Sequence, residues 1–147
     1  MPFLYPRLKK LPSTHIPCVN FTLLSISPDE DDRQSLLNIL GSDGWTVQGA
    51  RSVREATALL GEQPNLVLCD RKLPDGSWRD IVRISSELVN APSVVVASPQ
   101  ADRRFWAEVL NLGCFDVLLK PFVKTEVSRV LSMAWRHSLN IEPALMR

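Results

Sequence analysis

Leu66-Val-Leu-Cys-Asp-Arg-Lys-Leu-Pro-Asp-Gly76 decides how this chain is read. An apolar run, Leu66–Cys69, ends in an acid, Asp70, and a Pro74-Asp75-Gly76 turn follows at once. After the turn, Ile81, Ile84 and Leu88 recur at helical spacing and predict a helix over Ser77–Val89. An acid at the carboxyl end of a buried strand sits where open α/β sheets do their chemistry. Downstream, Val94-Val-Val-Ala-Ser98 reads as a central strand ending in a hydroxyl. Val117–Leu119 reads as another, ending in Lys120-Pro121. An acid, a hydroxyl and a lysine at three successive strand ends would share one rim.

The rest of the chain fits the same alternation. Phe21–Ile26 predicts the first strand and Thr46–Ala50 the second. Between them, Ser27-Pro28-Asp29-Glu30 reads as a helix start, with Ser27 as N-cap, Pro28 at the first position and Glu30 at the third. Leu36, Leu37 and Leu40 form its inward stripe, and Gly41 or Gly44 ends it. Ser52 caps the next helix, which turns Ala56, Leu59 and Leu60 inward and closes at Gly61. Ala101–Leu112 and Val123–Ser138 predict the fourth and fifth helices. Five βα units in strict alternation imply a parallel sheet with helices on both faces. The expected domain is 21–140. Residues 1–20, broken by Pro2, Pro6, Pro12 and Pro17, are expected to be a flexible extension, and 141–147 a short tail. The residues after Ser138 are too few for an output domain, so a stand-alone unit is expected.

Composition narrows the function classes. Lys and Arg number 17 against 16 Asp and Glu, a net charge of +1, which gives no footprint for nucleic-acid or membrane binding. A hydrophobic fraction of 45% suits a globular core. Cys18, Cys69 and Cys114 match no zinc or redox spacing, and Cys69 falls in a predicted buried strand. Reduced thiols, no transmembrane-length run and no signal-peptide core point to the cytoplasm.

Asp70 with its Leu73-Pro74-Asp75-Gly76 turn, Ser98 and Lys120-Pro121 resemble the receiver domain of two-component response regulators over residues 21–138. The resemblance implies a flavodoxin-like sheet of order 2-1-3-4-5. It implies that Asp70 is the phosphoacceptor, that Ser98 and Lys120 orient the phosphoryl group, and that a cis peptide precedes Pro121. Asp75 and Gly76 would form the turn after the phosphosite, with Asp75 helping to cap the next helix. The phosphoryl donor would be a sensor histidine kinase or a histidine phosphotransfer protein, and the domain would be regulatory rather than an enzyme. A hydrolase using Asp70 as nucleophile is the weaker class, since Arg71-Lys72 stand where an Asp-x-Asp motif would need its second acid.

The chain departs from the family pattern where the first strand ends. Ser27-Pro28 replace the usual acidic pair that holds Mg²⁺ beside the phosphoacceptor. The run Asp29-Glu30-Asp31-Asp32 has two readings. Acids in a first helical turn complement the helix dipole. Alternatively Asp29 or Glu30, with Asp70, could reach a Mg²⁺ ion. Weak Mg²⁺ binding is expected unless Asp29 or Glu30 rescues the site. Val117 replaces the aromatic that often switches rotamer in the fifth strand; a β-branched side chain is too restricted for that motion. Trp106 and Trp135, with Val117, mark the fourth helix, fifth strand and fifth helix as a partner or homodimer surface, unless the indoles belong to the core. Ser27, Pro99 and Val117 keep a second reading open, that of a pseudo-receiver, an interaction module whose phosphosite is vestigial.

Overall fold

The computed structural model describes residues 21–41 and 44–145. The expectations for residues 1–20, Cys18 among them, lie outside those residues. The main strands are β1 (Thr22–Ile26), β2 (Thr46–Ala50), β3 (Leu66–Asp70), β6 (Ser93–Ser98) and β7 (Asp116–Leu119). They form one parallel sheet in the order β2-β1-β3-β6-β7, as expected. The helices are α1 (Glu30–Leu40), α2 (Val53–Leu60), α3 (Trp78–Ser86), α4 (Arg103–Asn111) and α5 (Lys124–Leu145). α5 thus continues through residues read as a tail.

Successive strand residues point to opposite faces, so β3 supplies two cores at once. Val67 and Cys69 join Leu24, Ile26, Val94, Val96 and Val117 beneath Ala56, Leu60, Trp78, Ile81, Phe105 and Val109 of α2, α3 and α4. Leu66 and Leu68 join Leu23, Val95, Ala97 and Leu118 beneath Leu36, Leu40, Val127, Val130, Leu131 and Ala134 of α1 and α5. A sheet covered on both faces needs the continuous apolar strands seen in the sequence. Cys69 and Cys114 are buried free thiols, and desolvation by burial pushes both up, Cys114 to about 12.

Three local features differ from expectation. α1 begins at Glu30 with Asp29, not Ser27, as its N-cap: the Asp29 carboxylate accepts from the backbone N–H groups of Asp31 and Asp32 at 2.9 and 3.3 Å. Ser27 stays outside the helix: its oxygen accepts from Asp29 N at 3.0 Å while its hydroxyl donates to a tertiary partner described below. A two-residue hairpin, β4 (Lys72–Leu73) with β5 (Gly76–Ser77), folds the Pro74-Asp75 turn back on itself. And Asp75 caps α2, not the following helix: its carboxylate oxygens accept from Val53 N at 2.8 Å and Arg54 N at 3.0 Å. These bonds hold its carboxyl below the usual carboxylate range. α3 instead starts on a capping box between Ser77 and Asp80.

Gly76 lies where α2, α3 and the hairpin meet. A Cβ there would stand 2.9 Å from Val53 Cγ2 and would collide with the Asp80 carboxylate, which is held by Ser77 N. Gly76→Ala is expected to cost about 1–3 kcal/mol, the range for overpacking a fitted site. The midpoint of urea unfolding measures it, and an unchanged midpoint would show that the Asp80 cap is dispensable.

Candidate functional site

The carboxyl ends of β1 and β2, of β3 and β6, and of β6 and β7 are tied by backbone bonds. Ser27 N donates to Ala50 O at 2.8 Å, Arg71 N to Ala97 O at 2.9 Å and Lys120 N to Ser98 O at 3.0 Å. This fixes Asp70, the last residue of β3, between Ser27 and Lys120. Asp70 is only 9% exposed. Its Oδ2 accepts from Ser27 Oγ at 2.7 Å and from Lys120 Nζ at 3.0 Å. Both donors fall on one carboxylate oxygen. Oδ1 takes no hydrogen bond from the described residues. A cleft of about 190 Å³ opens beside Asp70, lined among others by Arg71, Ser98, Pro99, Gln100 and Lys120.

Lys120 does not serve Asp70 alone. Its ammonium also makes a close ion pair with Asp32, and all three side chains are largely buried. Asp32 is the site residue that sequence reasoning missed. With the N-cap at Asp29 rather than Ser27, the first turn of α1 presents Asp32 to the sheet edge, while Asp29 is spent on the cap. Glu30 turns outward to Arg51 at 3.6 Å. Neither Asp29 nor Glu30 bonds to Asp70 or Lys120, so the expected metal ligands are not assembled; Asp32 is the acid that is brought in. The shift in helix start is the signal that would have found it.

This donor set does not fit a divalent cation. A Mg²⁺ site depends on converging carboxylates and water. Here Ser27 contributes a hydroxyl already donated to Asp70, Pro28 contributes nothing, and an ammonium lies between the two remaining acids. Among the described residues no group of three or more His, Cys, Asp or Glu is placed to hold a metal ion.

Ser98 stands at the expected strand end but faces its own turn. Its hydroxyl donates to Gln100 O at 2.6 Å and accepts from Gln100 N at 3.2 Å. The Lys120–Pro121 peptide is cis. Val117, assigned to the partner surface from sequence, is 2% exposed and packs in the core under α4, so it offers no surface. Trp106 and Trp135 are half-buried, each against one of the two cores; Trp135 stands edge-on to Phe21 at 5.6 Å between centroids. Leu119 at the end of β7, Val123 just before α5 and Met133 on α5 are exposed.

Burial lifts the Asp70 carboxyl above the usual aspartate range. The bonds from Ser27 and Lys120 and the Lys120 charge offset this only in part, and the Asp32 charge adds to it. For Lys120 burial acts downward, but the bonds and charges of Asp32 and Asp70 outweigh it and hold the ammonium above its ordinary value. Between the usual aspartate value and the raised one, the folded chain binds more protons than the unfolded chain. The Asp70 contribution to stability falls as pH rises through that window. Lys120 contributes stability below its ordinary value that is lost as pH climbs through the raised one. For chemistry, the consequence is that a nucleophilic Asp70 must ionise first. The acid limb of any phosphoryl uptake is expected above the free-aspartate value of about 3.9. A pH–rate profile with its limb at or below that value would mean that burial does not govern this carboxyl.

A profile of the response regulator receiver domain matches residues 24–132, and the chain belongs to that family. It is 33% identical over 113 residues to the response regulator protein PilR of Pseudomonas aeruginosa, a match that takes in 76% of this chain and 25% of PilR. The chain thus spans about a quarter of that relative. It is 30% identical over 119 residues to the two-component response regulator ORR5 of Oryza sativa subsp. japonica, covering 78% of this chain and 88% of ORR5. Among solved structures, a signal receiver domain from Vibrio parahaemolyticus superposes with a TM-score of 0.80 at 16% identity, over 86% of this chain and 98% of that one. The chemotaxis protein CheY4 of Vibrio cholerae superposes with a TM-score of 0.71 at 17% identity, over 79% and 99%. These likenesses establish the flavodoxin-like receiver fold. The chain is a receiver domain of two-component signalling. Receiver domains are regulatory modules, not classical enzymes; they interact with histidine kinases or histidine phosphotransfer proteins and generally bind Mg²⁺ at the phosphorylation site.

Proposed function

We propose that this domain carries signals by reversible phosphorylation of Asp70 in a phosphorelay. The observation that supports this most is the placement of a buried carboxylate at the end of β3, held on one oxygen by Ser27 and Lys120 and open to a cleft. The free oxygen attacks the phosphorus of a phosphohistidine on a kinase or phosphotransfer protein. The new O–P bond makes an acyl phosphate. The N–P bond breaks, its electron pair returns to the imidazole, and that nitrogen takes a proton. Lys120 stabilises the charge that develops on the phosphoryl oxygens. Ser98 joins it once its hydroxyl rotates away from Gln100.

Mg²⁺ has a minor part in this reading, because the acids that would hold it are absent and Lys120 supplies charge in their place. Ser27→Asp restores a carboxylate beside Asp70 and is expected to tighten Mg²⁺ binding at least about tenfold, since an added carboxylate is the main determinant of such a site. The double variant Asp29→Ala, Glu30→Ala is expected to leave it unchanged. Calorimetry on the three proteins decides. Tight binding in the wild type would refute the ligand count.

The contact with a partner, or with a second copy, is assigned to the face of α4, β7 and α5, where Leu119, Val123 and Met133 are exposed and Trp106 and Trp135 are half-buried. No helix among the described residues is long and apolar enough to cross a membrane. Action in the cytoplasm accords with the reduced thiols.

A second reading, an interaction module with a silent phosphosite, is favoured by one observation: Lys120 is shared between Asp70 and Asp32, and Ser98 is turned to Gln100. Incubation with acetyl phosphate, with and without Mg²⁺, followed by intact mass, separates the two. Uptake of one phosphoryl group supports the phosphorelay; none under either condition supports the silent module.

A further inference from the structure

The phosphosite of this domain has a cation that neither the family pattern nor the mechanism above uses. Arg71 follows Asp70 directly and lines the same cleft. Its backbone is pinned at both polar atoms: N donates to Ala97 O at 2.9 Å, and O accepts from Trp78 N at 3.2 Å. Only its side chain is free to move. The guanidinium lies over the Phe105 ring, 3.9 Å from its centroid. Phe105 belongs to the first turn of α4, is buried, and stands edge-on to Trp78 of α3 at 5.9 Å. One arginine therefore bridges the acid cleft and α4.

Resting on the reading of Asp70 as phosphoacceptor, we propose that Arg71 is a second phosphoryl-binding cation, which leaves the Phe105 ring to pair with the phosphate and so couples Asp70 to α4. Lys120 already answers to two carboxylates, and phosphorylation replaces the single charge of the Asp70 carboxylate with the nearly two of a phosphoryl group at the same point. An arginine fork matches phosphate oxygens in a bidentate way, which is a stronger contact than its stack on a phenyl ring. The balance that favours the ring in the resting state reverses when the phosphate arrives. Phe105 then loses the group that covers it. Val117, being buried and restricted, cannot carry the change, and α4 receives it through Arg71 instead.

The test is nuclear magnetic resonance on the full chain, with excess acetyl phosphate keeping Asp70 charged. Protons over an aromatic ring resonate upfield, so the Arg71 side chain has a distinctive signal, assigned by its loss in Arg71→Lys and its collapse in Phe105→Leu. On phosphorylation that signal is expected to move downfield. In Arg71→Ala, compared with the wild type at equal labelling of Asp70 by intact mass, the phosphorylation-dependent shifts of the α4 amides are expected to shrink several-fold. A fully labelled wild type whose Arg71 signal stays put overturns this inference alone, as does a full set of α4 shifts in Arg71→Ala. A wild type that takes no label overturns the phosphoacceptor reading and this inference with it. If Arg71→Ala fails to fold, the wild-type signal still decides.

Discussion

Asp70→Asn is expected to abolish phosphoryl uptake from acetyl phosphate. The amide keeps the size and most of the hydrogen bonding of the carboxylate, so the fold survives. It has no anionic oxygen to attack phosphorus. No other acid is placed to replace it: among the described residues Asp32 is the only further carboxylate on Lys120, and it does not line the cleft beside Asp70. The variant also removes one of two like charges that share a single lysine. Burial lifts the Asp70 carboxyl, so neutralising it should leave stability at neutral pH unchanged or higher. Intact mass after incubation measures the first effect, and thermal unfolding the second. Full labelling in Asp70→Asn would move the phosphosite elsewhere.

Trp78→Ala is expected to be the most damaging single change to the fold. Trp78 is 1% exposed at the first turn of α3 and packs edge-on against Phe105. Truncating a buried aromatic of this size costs about 3–5 kcal/mol. Small domains have only about 5–15 kcal/mol in total, so the variant would lose a large part of its margin. Trp78→Phe keeps most of the ring and is expected to lose far less. Urea unfolding of the pair separates packing loss from helix-start effects, since both variants retain the Ser77–Asp80 cap. Equal losses in the two would mean that the indole's size is not what the core requires.

The alternation of strands and helices was legible because the central strands bury both faces and each helix buries one. Leu66–Cys69 and Val94–Ala97 could be nothing but central strands. Asp70 and Lys120 were legible for the same reason, as polar residues that end apolar runs. The contacts that were not legible are all tertiary. Ser27 has the chemistry of an N-cap, yet its hydroxyl goes to a carboxylate 43 residues away, and the helix starts later on Asp29. That delay turns Asp32 rather than Asp29 or Glu30 toward the site. Asp75 has the chemistry of a local turn, yet it caps a helix more than twenty residues upstream. Ser98 was placed at the correct strand end, but the Pro99-Gln100 turn fixes where its hydroxyl points. Local propensity names what a short polar side chain can do; which partner it takes is decided by what the sheet brings near.

The lysine between two acids has one more consequence. A bound ion is in equilibrium with its surroundings, and its occupancy follows supply. An ammonium carried on the chain has no such equilibrium. Its local concentration is set by the length of a side chain and the position of β7. The lysine's share of the resting charge around Asp70 is accordingly a property of the polypeptide, the same in a magnesium-starved medium as in a replete one.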